Sequence, residues 1–217
     1  RKKRKRKRRK QGGGGPETAK EGKTNLMLFN PRGIFGKTTS KEAVIKQFMS
    51  QHGVDFAGIV ESHTYRDHLS DKQWRWDPGV ERRPSKKEDH PSGGIGMFVD
   101  RGLMHSIVRA GTYVAWNRVE VQQNDPIFVA VCYFPHSTDT KKHKKAWKEL
   151  EEGLDDFRHL GHVAIMGDFN AHTGLDASKV DTAGRLLLAH AERLDIHILN
   201  GTPTCRGTTT RTVEHTD

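Results

Sequence analysis

His162-Val163-Ala164-Ile165-Met166-Gly167-Asp168-Phe169-Asn170-Ala171-His172 is the stretch from which the rest of the chain can be read. Residues 162–166 have the length and apolar content of a buried strand, and the run breaks at a glycine into acid, aromatic and amide side chains. Upstream the pattern recurs. Leu26-Met27-Leu28-Phe29 ends at Asn30, Asp55 to Val60 ends at Glu61, and Ile127 to Phe134 carries Tyr133 near its end. Any one of these residues alone reads as a turn, a cap or a core aromatic. Together they point to one crevice, because ligand sites of α/β sheets gather beyond strand ends, where rigid strands hold converging loops.

Working outward, Val44, Ile45, Phe48 and Met49 fall at helical spacing, with Ser40 as the expected N-cap and Gly53 as the C-cap glycine. The opening therefore reads strand, helix, strand. Trp147, Leu150, Leu154 and Phe157 predict a helix within 138–160, and Ala183 to Leu194 another, followed by a strand at Ile196 to Leu199. Gly94 to Val99, Ser106 to Arg109, Arg118 to Gln122 and Ile127 to Phe134 read as short strands joined by turns. Ser62 to Ser92, despite Trp74 and Trp76, has no sustained period and reads as loop. Gly36-Lys37-Thr38 is not a P-loop, since Pro31 stands where that signature needs its first glycine.

A chain of 217 residues at 33% hydrophobic content suits one domain. Its net charge of +10 comes entirely from Arg1, Lys2, Lys3, Arg4, Lys5, Arg6, Lys7, Arg8, Arg9 and Lys10. Removing those ten from the 37 Lys and Arg leaves 27, equal to the 27 Asp and Glu, so the body is neutral. Such a run cannot bury itself. With Gly12 to Gly15 and Pro16 it predicts a disordered basic arm and linker over 1–24, ahead of a folded domain over 25–217. The arm fits two roles, a nucleic-acid-binding element or a nuclear localisation signal. Cys132 and Cys205 are too few for a disulfide framework, and no apolar run approaches the ~18 residues of a bilayer span. We expect an intracellular, nuclear location and no membrane partner.

Gly167-Asp168-Phe169-Asn170 after an apolar strand resembles a signature of the endonuclease/exonuclease/phosphatase superfamily. Further blocks follow in that family's order: Leu28-Phe29-Asn30, Ile59-Val60-Glu61-Ser62, Gly93-Gly94-Ile95-Gly96 and Val131-Cys132-Tyr133-Phe134-Pro135. The sequence is closest in pattern to endonuclease domains of non-LTR retrotransposons. The resemblance implies an α/β fold, a four-layer α/β/β/α sandwich of two mixed sheets. It also implies Mg²⁺- or Mn²⁺-dependent hydrolysis of DNA phosphodiesters by a monomer, which in retroelement relatives is fused to a reverse transcriptase.

The residue roles implied are specific. Glu61 and Asn30 would hold the metal through oxygen. Asp168 would orient and help deprotonate the attacking water, Asn170 would fix the scissile phosphate, and Tyr133 would donate its phenolic proton toward it. Two departures stand out. Arg32 occupies a position where DNA-cutting relatives carry an acid, and no histidine of this sequence lies in the family's closing Ser-Asp-His block. Asp217 matches the residue that would orient that histidine. The expectation is a domain missing its last strand or strands, with impaired catalysis, or else a nucleic-acid-binding remnant of the same fold. His136 and His172 flank motifs and read as surface residues.

Overall fold

The computed structural model describes residues 24–34, 41–64, 69–80, 93–122, 125–136, 140–174, 179–200 and 202. The basic arm and linker, Ser40, the Gly36-Lys37-Thr38 segment and Asp217 lie outside the described residues. In chain order the elements are β1 (Leu26–Phe29), α1 (Glu42–Gln51), β2 (Phe56–Val60), β3 (Trp74–Val80), β4 (Ile95–Asp100) and β5 (Met104–Ala110). There follow β6 (Val114–Gln122), β7 (Asp125–Tyr133), α2 (Thr140–Phe157), β8 (His162–Asp168) and α3 (Thr182–Arg193).

The strands form two four-stranded mixed sheets, ordered β1-β2-β4-β3 and β5-β6-β7-β8. In the first, β1 and β2 run parallel and the other pairs antiparallel; in the second, β7 and β8 are the parallel pair. Strand alternation sorts the apolar side chains into three cores. On β2, Ala57 and Ile59 join Ile45 and Met49 of α1, while Phe56 and Val60 join Val129 and Val131 of β7 between the sheets. On β7, Phe128, Ala130 and Cys132 face the other way, onto Trp147, Leu150 and Leu154 of α2 and the half-buried Leu187 of α3. Three cores make four layers, helix, sheet, sheet, helix, the sandwich expected from sequence. The sheets pack closely at Gly58, where an added Cβ would lie 2.9 Å from Val131 Cγ1.

Two segments differ from the sequence reading. Residues 74–80, read as loop, form edge strand β3, whose Trp74 and Trp76 enter the core under α1. On its other face Arg75 and Asp77 meet His105 of β5, whose Nε2 lies 2.9 Å from Asn117 Oδ1. This polar network links the two sheets at one edge. Ile196 to Leu199, read as a strand, has no regular structure; the Ile196 amide bonds Ala191 O and the segment folds back on α3. At the start of α1, Lys41 is the N-cap and makes no side-chain cap bond, while Gly53, just past the end, is left-handed at φ +59°. Ile45 and Met49 are buried, but Val44 and Phe48 are exposed.

Candidate active site

Because β1 and β2 are parallel, Asn30 and Glu61 leave the first sheet at the same end. Because β7 and β8 are parallel with Tyr133 opposite Asp168, those residues leave the second sheet together. The seam between the sheets brings both pairs to one place. Asn30 Nδ2 donates to Glu61 Oε1 at 2.9 Å and, across the seam, to Asp168 Oδ2 at 3.0 Å. One amide thus spends its two protons on two carboxylates. Its own oxygen accepts the Arg32 N–H at 3.0 Å, which fixes the amide's orientation.

Asp168 is held from a second side. Its Oδ1 accepts the Asn170 N–H at 3.0 Å, and its carbonyl accepts the Phe134 N–H at 2.8 Å. Asn170 Nδ2 donates to the Phe134 carbonyl at 2.7 Å, tying the loop after β8 to the loop after β7. Tyr133 is half-buried and packs against the inter-sheet core beside Asp168. On the other flank, His63 Nε2 lies 3.7 Å from Glu61 Oε2.

The backbone here is strained. Arg32, Glu61, His63 and Asn170 adopt left-handed φ of +47° to +49°, a conformation that costs a non-glycine residue on the order of 1 kcal/mol or more. Surrounding bonds enforce it. Gly33 and Ile34 amides reach Glu61 and Ser62 carbonyls, while Ser62 and His63 amides reach Gly94 and Gly93 carbonyls. The Gly93-Gly94 pair, itself left-handed, thereby clamps the Glu61 loop.

The sequence brought Asn30, Glu61, Tyr133, Asp168 and Asn170 to one strand end, and the structure places all five around the seam. It missed His63, whose signal was its position two residues after Glu61 in the same polar run. His136 and His172 are exposed, as read. A groove of about 400 Å³ lined by Trp147, Glu151, His190 and Arg193 lies between α2 and α3 and includes none of the five.

Among the described residues no three His, Cys, Asp or Glu side chains form a metal cage. The pair Glu61 and Asp168 nevertheless fits a hard divalent cation. Both offer carboxylate oxygen, and two carboxylates on one amide gain from added positive charge. A four-layer sandwich with carboxylates and amides gathered at its seam has the oxygen donors and amide donors that metal-dependent phosphodiester chemistry requires.

The comparisons with known proteins agree. The Endonuclease/Exonuclease/phosphatase family profile matches residues 35–216, and the chain belongs to that family. Among solved structures it is similar to an AP endonuclease from Leishmania major, at 12% identity and a TM-score of 0.58, over 79% of this chain and 66% of that one. The catalytic domain of Xenopus laevis APE2 is similar at 15% identity and a TM-score of 0.55, over 76% of this chain and 67% of that one. The 3′ phosphatase NExo from Neisseria, bound to a product DNA hairpin, is similar at 12% identity and a TM-score of 0.52, over 79% and 71%. At these identities the likeness is one of fold. No curated protein matches by sequence. Nucleases of this family use divalent metal ions.

Proposed function

We propose that this chain is a metal-dependent endonuclease that hydrolyses DNA phosphodiesters, of the retroelement type. The single observation that carries the reading is the Asn30 amide shared between Glu61 and Asp168 across the sheet seam. It holds two acids of different surroundings in fixed relation, as a site must when one binds and the other handles a proton. Glu61, with Asp168 beside it, would hold Mg²⁺ or Mn²⁺, which supplies charge neutralisation at the phosphoryl and leaving oxygens when bound. Asn30, whose oxygen is taken by the Arg32 N–H rather than turned to a metal, would fix the two carboxylates. Asp168 Oδ1 faces the Asn170 N–H and orients the attacking water. Tyr133 donates its phenolic proton toward the phosphate. Gly167-Asp168-Phe169-Asn170-Ala171-His172 with Gly184-Arg185-Leu186-Leu187 supports the retroelement assignment, and the terminal arm supports a nuclear, DNA-associated setting.

A second reading, nucleic-acid binding without catalysis, has its own observation. Arg32 stands beside Asn30 where DNA-cutting relatives carry an acid, and among the described residues no histidine hydrogen-bonds Asp168. We therefore infer slow cleavage. The test is nicking of supercoiled plasmid, plain and abasic, with excess protein and Mg²⁺. Conversion that requires the metal and disappears in Asp168→Asn and Glu61→Gln supports the enzyme; DNA binding with no conversion at any protein concentration selects the binding-only reading.

A further inference from the structure

The charges of α2 are sorted into two blocks. Residues 140–148 read Thr-Lys-Lys-His-Lys-Lys-Ala-Trp-Lys, with five lysines and no acid; residues 149–157 read Glu-Leu-Glu-Glu-Gly-Leu-Asp-Asp-Phe, with five acids and no base. This order opposes the helix dipole, which favours acids in the first turn and bases in the last by ~0.3–1 kcal/mol each. Helix stability therefore does not explain it.

The acidic block is answered inside the fold. Arg109 contacts Glu152 and Asp156; Arg193 and His190 hold Glu151; Glu149 accepts the Thr112 and Tyr113 amides at 2.8 and 2.7 Å. The lysine block faces water. Lys141, Lys142 and Lys144 are exposed, while Lys145 and Lys148 stay 57% and 76% exposed despite reaching Thr112 and Glu152. A neutral body has thus segregated cations onto about two turns of helix.

Those turns adjoin the site. The buried side of the same turns packs on Phe134, with the His143 ring at 6.0 Å and Trp147 at 4.9 Å. The main chain of Phe134 bonds both Asp168 and Asn170. Across the seam the exposed Arg32 follows Asn30, and the half-buried Lys41, at the start of α1, donates from Nζ to the Pro31 carbonyl and keeps its charge there. Cations thus stand on the layers of both sheets that meet at the seam, the lysines on α2 over the second sheet and Arg32 after β1 of the first.

We propose that the lysine block of α2, with Arg32 and Lys41 opposite, is a docking surface for the phosphate backbone of a nucleic-acid duplex, laying it across the Asn30–Glu61–Asp168 seam. The proposal rests on the phosphodiesterase reading for what happens at the seam, and on the charge order of α2 for the docking itself. An acidic protein would satisfy the same charges, but the helix that carries the run packs on Phe134, which is bonded to Asp168 and Asn170 of the proposed phosphodiesterase site, and this favours the duplex.

The experiment is fluorescence-anisotropy titration of the full chain with a 5′-labelled DNA duplex of about 20 base pairs in EDTA, over a series of salt concentrations. Each phosphate contact contributes ~0.9 to the slope of log affinity against log salt. The pair Lys141→Glu/Lys144→Glu should flatten that slope by about 2 relative to the parent and weaken binding at least tenfold near 0.1 M salt. The control Lys72→Glu/Arg101→Glu removes two cations at the opposite sheet end and should leave the slope near the parent's. The α2 variant should melt no lower than the parent, because it places one acid in the first turn and another just after it, four residues before Lys148. Equal slopes for the α2 and control variants would overturn the proposal, as would tighter binding of polyglutamate than of duplex. Should the α2 variant fail to fold, acetylation of parent lysines decides: duplex must protect Lys141 and Lys144 over Lys72, and equal reactivity overturns the docking. Binding in EDTA is read without hydrolysis, so failure to nick leaves this result standing, and an unchanged slope leaves the nicking result standing.

Discussion

Asn30 is the residue on which the two halves of the site depend, and its replacement can be worked through in numbers. Asn30→Ala removes two hydrogen bonds of 2.9 and 3.0 Å to carboxylates. Bonds to charged groups contribute ~1.5–3 kcal/mol each when buried; this pair is part-buried, which lowers the total to about 2 kcal/mol. At 2–4 °C per kcal/mol for a domain of this size, the melting temperature should fall by about 4–8 °C. Asn30→Asp is the sharper change, because it keeps the shape and sets a third carboxylate against two others. Like charges about 4 Å apart repel by on the order of 4 kcal/mol at an effective dielectric of ~20, before relaxation and screening. In EDTA, Asn30→Asp should therefore melt below Asn30→Ala, by calorimetry at pH 7. An Asn30→Asp protein that melts at or above the parent temperature in EDTA would refute the shared-amide account.

Asp181 caps α3 by accepting the Gly184 N–H at 2.6 Å, and that bond holds its carboxyl below the ordinary carboxylate range. Asp181→Ala should cost about 1 kcal/mol at pH 7 by denaturant titration. Since the folded-state value is depressed, the stabilisation is complete above the unfolded value near pH 4 and is lost as pH falls through the folded one. The gap between parent and variant should accordingly close on acidification below about pH 4. Gly96→Ala would put a Cβ 2.2 Å from Trp76 Cη2, so β3 must shift, with an expected loss of ~1–3 kcal/mol and altered tryptophan fluorescence. An unaltered spectrum and stability would mean that the Trp76 ring does not lie against Gly96 of β4.

Sequence periodicity revealed β1, β2, β7 and β8 because each is an apolar run that stops at a polar group. The same feature exposed Asn30, Glu61, Asp168 and Asn170, since site residues stand where the buried strand ends. β3 was hidden for physical reasons. Pro78 is tolerated there only because the strand lies at a sheet edge, and its inward Arg75 and Asp77 are matched by His105, a partner no local pattern can announce. Ile196 to Leu199 misled in the opposite sense, since Ile196 packs against the core under α2 and Leu199 is exposed, while the Ile196 amide bonds the end of α3 rather than a ladder. Val44 and Phe48 shared the helical spacing of the buried positions, yet only Ile45 and Met49 turn toward the sheet. The strained φ at Glu61 and Asn170 and the bridging role of Asn30 depend on contacts between distant segments, which spacing along the chain does not encode.

The most direct test of the central claim, a divalent-metal site at the Asn30–Glu61–Asp168 seam, is the change in melting temperature on adding Mg²⁺ to the parent chain and to Glu61→Gln. A ligand at about 100 times its Kd stabilises the folded state by ~2.7 kcal/mol, or roughly 5–11 °C for this domain. The account predicts a shift of that size in the parent and none in Glu61→Gln, which keeps the side-chain shape and loses the charge. Equal shifts in both proteins, or no shift in the parent at saturating Mg²⁺ or Mn²⁺, would contradict it.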